Sequence, residues 1–78
     1  MSPRATAVEP LEGYRLLVTF DNGETRVYDA EPLIRGDWFG KLRDPATFAT
    51  VHVAGLSVEW AGDQDVCPDE LYCASVPV

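Results

Sequence analysis

The fold is decided by residues 14–29, which read YRLLVTFDNGETRVYD. Every second residue from Tyr14 to Phe20 is aliphatic or aromatic, and this period of two is the pattern of a strand with one buried face. Residues 21–23 read DNG, and these residue types tolerate the positive φ angles of a tight turn. The alternation resumes over residues 24–29, so the whole stretch predicts a β-hairpin.

The same alternation predicts a second hairpin over residues 51–60, with its turn at Gly55. The alternating apolar positions are Val51, Val53, Leu56, Val58 and Trp60. Upstream, residues 6–9 form a short extended segment that Pro10 closes. Apart from residues 30–50, the connections are too short for a parallel crossover. We therefore expect an α+β fold with a small, mainly antiparallel sheet of about five strands and short helices.

Short helical segments are predicted between and after the hairpins. Residues 31–36 read as a helical turn that ends at a glycine, and Trp38 lies in the loop that follows. An aspartate before a proline at residues 44–45 is typical of an N-cap and the first helical position, and Phe48 is expected to pack inward. Residues 67–72 begin a C-terminal helix with proline and two acids in its first turn.

The length of 78 residues suffices for one domain, because a second unit would leave neither half with enough chain for a core. We expect a single domain over residues 1–78, with frayed ends at about residues 1–5 and 75–78. No apolar run is long enough for a membrane helix, and the N-terminus has no hydrophobic export signal. We therefore expect a cytoplasmic protein whose two thiols, Cys67 and Cys73, stay reduced.

Acidic residues exceed basic residues by 13 to 6, and the excess is confined to one half of the chain. Residues 1–43 hold all six bases and seven acids, so their net charge is -1. Residues 44–78 hold six acids and no lysine or arginine, so their net charge is -6. Such a charge repels nucleic-acid phosphates and anionic lipid, and it attracts a basic surface. The alternative is that these acids only keep the protein soluble.

The order of the segments resembles a bacterial family known only as domain of unknown function 2442. The resemblance covers about residues 6–72 and rests on residues 8–11, 14–24, 27–29, 42–45 with Phe48, the strand ending at Trp60, and residues 67–72. It implies a small α+β domain built on an antiparallel sheet, without an established activity or cofactor. Some members carry an added helix-turn-helix, and some are encoded beside small basic proteins in what look like toxin and antitoxin pairs. Small acidic bacterial and phage proteins also include inhibitors of CRISPR effector complexes.

Signatures of catalysis and metal binding are weak. His52 has no nucleophile beside it in the sequence, so it is interpreted as a surface or edge-strand residue. Cys67 stands where a helix begins, but the two acids that follow oppose a thiolate there. The acids around Asp65 do not fit a calcium loop, because Pro68 stands where glycine is required. We expect no enzyme activity, no catalytic residue and no cofactor, and we assign no metal ligand, although a weak divalent site near Asp63 stays open.

The function predicted from these features is binding of a basic protein that handles nucleic acid, such as a toxin or a CRISPR effector subunit. In that role the carboxylates stand in for phosphates and occupy Lys and Arg side chains. The predicted partner-binding residues are Glu59, Asp63, Asp65, Asp69, Glu70 and Trp38. We expect no direct binding of nucleic acid or membrane, and a monomer or a homodimer paired through hairpin edges. The alternatives are an accessory domain of a DNA-binding regulator, which the end of the chain at Val78 disfavours, and a small hydrolase or thiol enzyme.

Overall fold

A computed structural model describes residues 2–34, 40–62 and 64–78 of the chain. In chain order the elements are β1 (Ala5–Leu11), β2 (Arg15–Phe20), β3 (Thr25–Asp29), α1 (Glu31–Ile34), a 3-10 helix (Gly40–Arg43), α2 (Pro45–Phe48), β4 (His52–Ala54), β5 (Ser57–Glu59), α3 (Pro68–Cys73) and β6 (Val76–Pro77). β1, β2, β3 and β6 form a four-stranded antiparallel sheet in that order, and β4 pairs with β5 in a second sheet. The expected α+β fold with an antiparallel sheet and short helices is confirmed.

The alternation in β2 separates a core face of the larger sheet from an open face. Leu16 and Val18 are fully buried, and Phe20 is nearly so. In the register of the sheet, Leu16 lies opposite Tyr28 and Val18 lies opposite Arg26 on β3. Side chains directly opposite each other in an antiparallel pair lie on one face, so these five residues define the core face.

The short helices and the β4–β5 hairpin supply the other side of the core. The indole Nε1 of the buried Trp60, just after β5, donates a hydrogen bond of 2.9 Å to the carbonyl oxygen of Phe48. Leu42 in the 3-10 helix and Leu71 in α3 are fully buried. One cluster contains the buried hydrophobic residues Ala5, Leu16, Val18, Phe20, Tyr28, Ala30, Ile34, Leu42, Phe48, Val51, Val58, Trp60, Val66 and Leu71.

Two of the predicted helix starts are found, but without the expected side-chain cap. α2 begins at Pro45 and α3 begins at Pro68. The Asp44 carboxylate makes no hydrogen bond to a backbone amide of α2 and instead accepts one of 3.1 Å from the Thr47 hydroxyl. Cys67 also makes no side-chain cap bond. Proline at the first helical position therefore does more than the side chain before it to set these starts.

The turn between β1 and β2 differs from the sequence expectation. β1 continues through Pro10 to Leu11, which an edge strand tolerates because one of its sides needs no amide donor. Gly13 has φ 74° and Tyr14 has φ 58°, so Tyr14 belongs to the turn and β2 begins one residue later. A left-handed conformation costs a non-glycine residue about 1–2 kcal/mol. The Tyr14 hydroxyl, which donates a bond of 2.6 Å to the Arg43 carbonyl oxygen, helps hold this turn.

The turn of the second hairpin also shifts the predicted alternation. Ala54 pairs with Ser57, so Gly55 and Leu56 are the two turn residues. Leu56 is therefore 56% exposed at the tip of the hairpin, whereas Ser57 is only 6% exposed. The prediction that Leu56 shares an alternating apolar face with Val58 is wrong, because that face begins after the turn.

The ends of the chain are more ordered than the sequence predicted. Ala5 is buried, and its amide donates a hydrogen bond of 3.2 Å to the Leu56 carbonyl oxygen. Val76 pairs with Val27 as part of β6, and the amide of Val78 donates a bond of 3.1 Å to the Thr25 carbonyl oxygen. Two residues of the tail that was expected to fray, Val76 and Pro77, thus form the fourth strand of the sheet.

Candidate partner-binding site

Four of the six predicted partner-binding residues lie in the described ranges. Glu59 ends β5, Asp65 follows it across a short turn, and Asp69 and Glu70 lie in the first turn of α3. Asp65, Asp69 and Glu70 are exposed, and Glu59 is half-buried. The other two predicted residues, Asp63 and Trp38, lie outside the described residues.

Glu59 and Asp65 are brought side by side by an antiparallel bridge. The amide of Trp60 donates a hydrogen bond of 2.8 Å to the Gln64 carbonyl oxygen, and the amide of Val66 donates one of 3.3 Å to the Val58 carbonyl oxygen. These bonds flank the bridge, so Glu59 and Asp65 form a non-hydrogen-bonded pair, the cross-strand position where side chains come closest. The fold therefore places two like charges on one face, at a cost to its own stability.

His52 extends this pair into a row, because it lies opposite Glu59 on β4. Its Nε2 atom is 3.1 Å from Glu59 Oε1, and its Nδ1 atom is 3.1 Å from the Thr50 carbonyl oxygen. The Thr50 carbonyl and then the Glu59 carboxylate raise the pKa of His52 above its usual value. A raised pKa means that the charged ring stabilises the fold at low pH and that this contribution is lost as pH rises above about 6.5. The contribution is small because His52 is exposed.

Asp69 and Glu70 contact two different elements. Asp69 accepts a hydrogen bond of 2.7 Å from the Ser2 hydroxyl, in the segment before β1. Glu70 lies 3.4 Å from the hydroxyl of Tyr28 on β3. Burial, and then the charge of Glu70, raise the pKa of Tyr28, so its hydroxyl stays a neutral donor. Both side chains are exposed to solvent, and their negative charges also stabilise the N-terminal end of α3.

Among the described residues, no cationic side chain contacts the exposed acids of this group. No lysine or arginine nitrogen within these ranges lies at ion-pair distance from Asp65, Asp69 or Glu70. His52, which contacts Glu59, is the only described basic group beside the set. We call these four carboxylates, Glu59, Asp65, Asp69 and Glu70, the acidic group.

A different network, which the sequence analysis missed, ties the C-terminal segment to the first hairpin. The guanidinium of Arg26 donates to Glu24 Oε2 at 2.9 Å, to Ser75 Oγ at 2.8 Å and to the Ser75 carbonyl oxygen at 2.7 Å. It also lies 4.5 Å from the centre of the Tyr72 ring, whose hydroxyl donates to Glu24 Oε1 at 2.5 Å. The bond from Tyr72 and then the one from Arg26 lower the pKa of Glu24. The only signal in the sequence was that Arg26 falls on the core-facing positions of its strand.

An open groove of about 530 Å³ lies between the β1–β2 turn and α2. Its walls are mainly apolar and include Pro10, Tyr14, Pro45 and Phe48, with Glu12 at one side. The rings of Tyr14 and Phe48 meet edge to face, with centroids 5.4 Å apart. The groove shows that even this small domain leaves a concave surface.

No described residues form a metal or thiol centre. Both Cys67 and Cys73 are free and exposed. No group of three or more histidine, cysteine or acidic side chains within residues 2–34, 40–62 and 64–78 is placed to hold a metal ion. The helices in these ranges are all too short to cross a bilayer.

The fold and the acidic group define a small α+β domain with a two-faced antiparallel sheet. The chain belongs to the family described as Protein of unknown function (DUF2442), whose sequence pattern matches residues 5–77. This match confirms the resemblance drawn from the segment order. No curated protein and no solved structure matches the chain.

Proposed function

We propose that this protein is a non-enzymatic module that binds a basic protein and competes with nucleic acid for its surface. The observation that supports the proposal is the acidic group, whose exposed carboxylates have no lysine or arginine partner among the described residues. Carboxylates that no cation of the same chain neutralises attract the cationic side chains of a partner. A toxin or a CRISPR effector subunit offers the lysine and arginine side chains that such a group binds, and either partner places the protein in the cytoplasm.

The Glu59 and Asp65 pair supports this proposal most directly. Two carboxylates held at the closest cross-strand position repel each other, and His52 relieves only the side next to Glu59. A lysine or arginine from a partner that inserts beside Asp65 neutralises this repulsion. Arginine fits better than lysine, because its planar guanidinium contacts two carboxylate oxygens at once.

The typical strength of an exposed ion pair indicates what these charges contribute to binding. An exposed ion pair is worth about 0.2–1 kcal/mol, so the acidic group alone does not give a tight complex. Its main effect is on the rate of association, because opposite charges steer the encounter and screening by salt removes that steering. We therefore expect affinity to fall steeply as ionic strength rises.

The test uses the intact protein as bait in a lysate of its host, with capture at low salt and elution by rising salt. We expect the captured protein to bind nucleic acid, and we expect added nucleic acid to displace the bait. The variant D65N/D69N removes two charges from the acidic group. The control E9Q/E12Q removes two charges from exposed acids in the second half of β1 and the turn that follows it. The first variant is expected to weaken capture about tenfold and the control less than twofold.

Two results would overturn the proposal. One is an affinity that does not change between low and high salt, and the other is an equal loss in both variants, which would mean that only total charge matters. Binding of duplex DNA by this chain would instead favour an accessory domain of a DNA-binding regulator. Turnover that depends on Cys67 would favour a thiol enzyme.

A further inference from the structure

The face of the larger sheet that points away from the core, the open face, carries an apolar row. Leu17 lies opposite Val27, and Val27 lies opposite Val76 of β6. Val76 is 63% exposed, and Leu17 and Val27 are half-buried although neither packs against the core cluster. Three strands therefore present one continuous strip of aliphatic side chains that the rest of the described chain does not cover.

One neighbouring row of the open face is uncharged, and the other carries one acid and one base. Thr19 lies opposite Ala7 and Thr25 on one side of the strip. Arg15 lies opposite Leu11 and Asp29 on the other side. With Glu9 at the β1 end of the central row, the open face carries two acids and one base.

We propose that the open face is the interface of a two-fold symmetric dimer of this chain. The chain has a formal charge of -7, so most approaches of a second copy are repelled. The open face has a net charge of -1, two acids against one base, and it is uncharged along the strip from Leu17 to Val76. A basic partner is drawn to the acidic group, whereas a second copy meets little repulsion at this face.

The arrangement of charge on the open face is complementary to itself. In a two-fold interface, a contact from residue i to residue j is repeated from j to i. A two-fold axis that lies in the interface, parallel to the strands and between Leu17 and Val27, stacks the apolar strip of one copy on the strip of the other. The same axis places Arg15 of each copy against Asp29 of the second copy, at one side of the strip. An apolar centre with a charged rim is the usual composition of a protein interface.

The size of the open face sets the strength of the dimer. Strands of five to seven residues at about 3.3 Å per residue, spaced by about 4.8 Å across the sheet, give a face of roughly 300–400 Å² per copy. Two such faces bury roughly 600–800 Å² in total, which is below the total of about 1,200 Å² that marks stable complexes. We therefore expect a reversible dimer that forms at high micromolar concentration and dissociates on dilution.

The test is sedimentation equilibrium of the intact chain from about 10 µM to about 1 mM, a range that brackets dissociation constants of this order. V27K alters the centre of the apolar strip, and V76K alters its exposed end. L56K is the matched control, because Leu56 is also an exposed aliphatic residue but lies at the tip of the β4–β5 hairpin. Each lysine lowers the net negative charge equally, so relief of general repulsion is the same in all three variants.

We expect V27K and V76K to weaken self-association at least tenfold and L56K to leave it within twofold. Circular dichroism verifies the fold of each variant, and V76K keeps the test decisive if V27K unfolds. Self-association is expected to persist at high salt, whereas binding of the basic partner weakens there. A chain that is monomeric at about 1 mM, or a control that weakens the dimer equally, would show that the open face is not the interface.

Discussion

Two sets of carboxylates in this protein have opposite surroundings. Glu24 accepts hydrogen bonds from Tyr72, Arg26 and Asn22, and its charge holds the C-terminal segment against the first hairpin. Asp65, by contrast, has no hydrogen-bond partner for its carboxylate among the described residues, and Asp69 has one neutral hydroxyl donor. The net charge of -7 therefore has two roles in this protein. Some of it stabilises the fold, and the rest is left for solvent or a partner.

The distribution of basic residues explains the difference. Every lysine and arginine lies in residues 1–43, so an acid in the second half acquires a cation only if folding brings one to it. Arg26 does reach the second half, but it binds Ser75 and the ring of Tyr72 there instead of a carboxylate. Among the described residues, Asp65, Asp69 and Glu70 therefore have no lysine or arginine partner, because the arginine that reaches the second half there is already occupied.

Among the substitutions that test this comparison, R26A, which breaks the network around Glu24, is expected to have the largest effect on stability. The side chain is only 14% exposed, and R26A removes three hydrogen bonds together with the contact on Tyr72. We expect a loss of about 2–3 kcal/mol in the free energy of unfolding, measured by urea titration. The control is R43A, at an exposed arginine, for which we expect less than about 0.5 kcal/mol. Similar losses in both would contradict the structural role of the Arg26 network.

The acid dependence of stability tests the role of Glu24. Since folding lowers the pKa of Glu24, its charge stabilises the fold above about pH 4.5, and this contribution is lost as pH falls through the lowered pKa. E24Q is expected to lower stability at neutral pH and to remove part of the decline below pH 4.5 that the wild-type protein shows. Unfolding curves of both proteins, measured between about pH 3 and pH 7, test this, and an E24Q profile that declines as steeply as the wild-type profile would contradict it.

The smallest expected effect comes from relieving the Glu59 and Asp65 repulsion. D65N removes one of the two like charges and keeps the shape of the side chain. We expect the free energy of unfolding to rise by about 0.3 kcal/mol at low salt and this gain to vanish at high salt. D69N is the comparison, because it leaves the Ser2 hydroxyl with a weaker, neutral acceptor and removes a favourable negative charge from the first turn of α3. A loss of stability in D65N would mean that Asp65 has a structural role.

Much of the fold was predictable because its signals are local. The alternation in residues 14–29 predicted the first hairpin, and prolines at residues 45 and 68 predicted where α2 and α3 begin. The exceptions are also informative. Tyr14 adopts a left-handed conformation because its hydroxyl and ring are held by Arg43 and Phe48, which are distant in sequence.

The candidate site was predictable in its composition but not in its geometry. The absence of basic residues after residue 43 indicated an acidic region before any coordinates were known. The pairing of Glu59 with Asp65 depends on a bridge across a turn, and the contacts of Asp69 and Glu70 depend on where α3 packs. A pattern of residue types carries no information on these pairings.

Most strands and helices, and the acidic character of the second half of the chain, follow from the sequence alone, because these properties depend on near neighbours and on composition. Three features required tertiary packing: residues 76–77 complete the sheet, Arg26 binds Ser75, and the open face keeps its apolar strip. Such contacts join residues up to about 50 positions apart, so they form only where the packed core brings distant segments together.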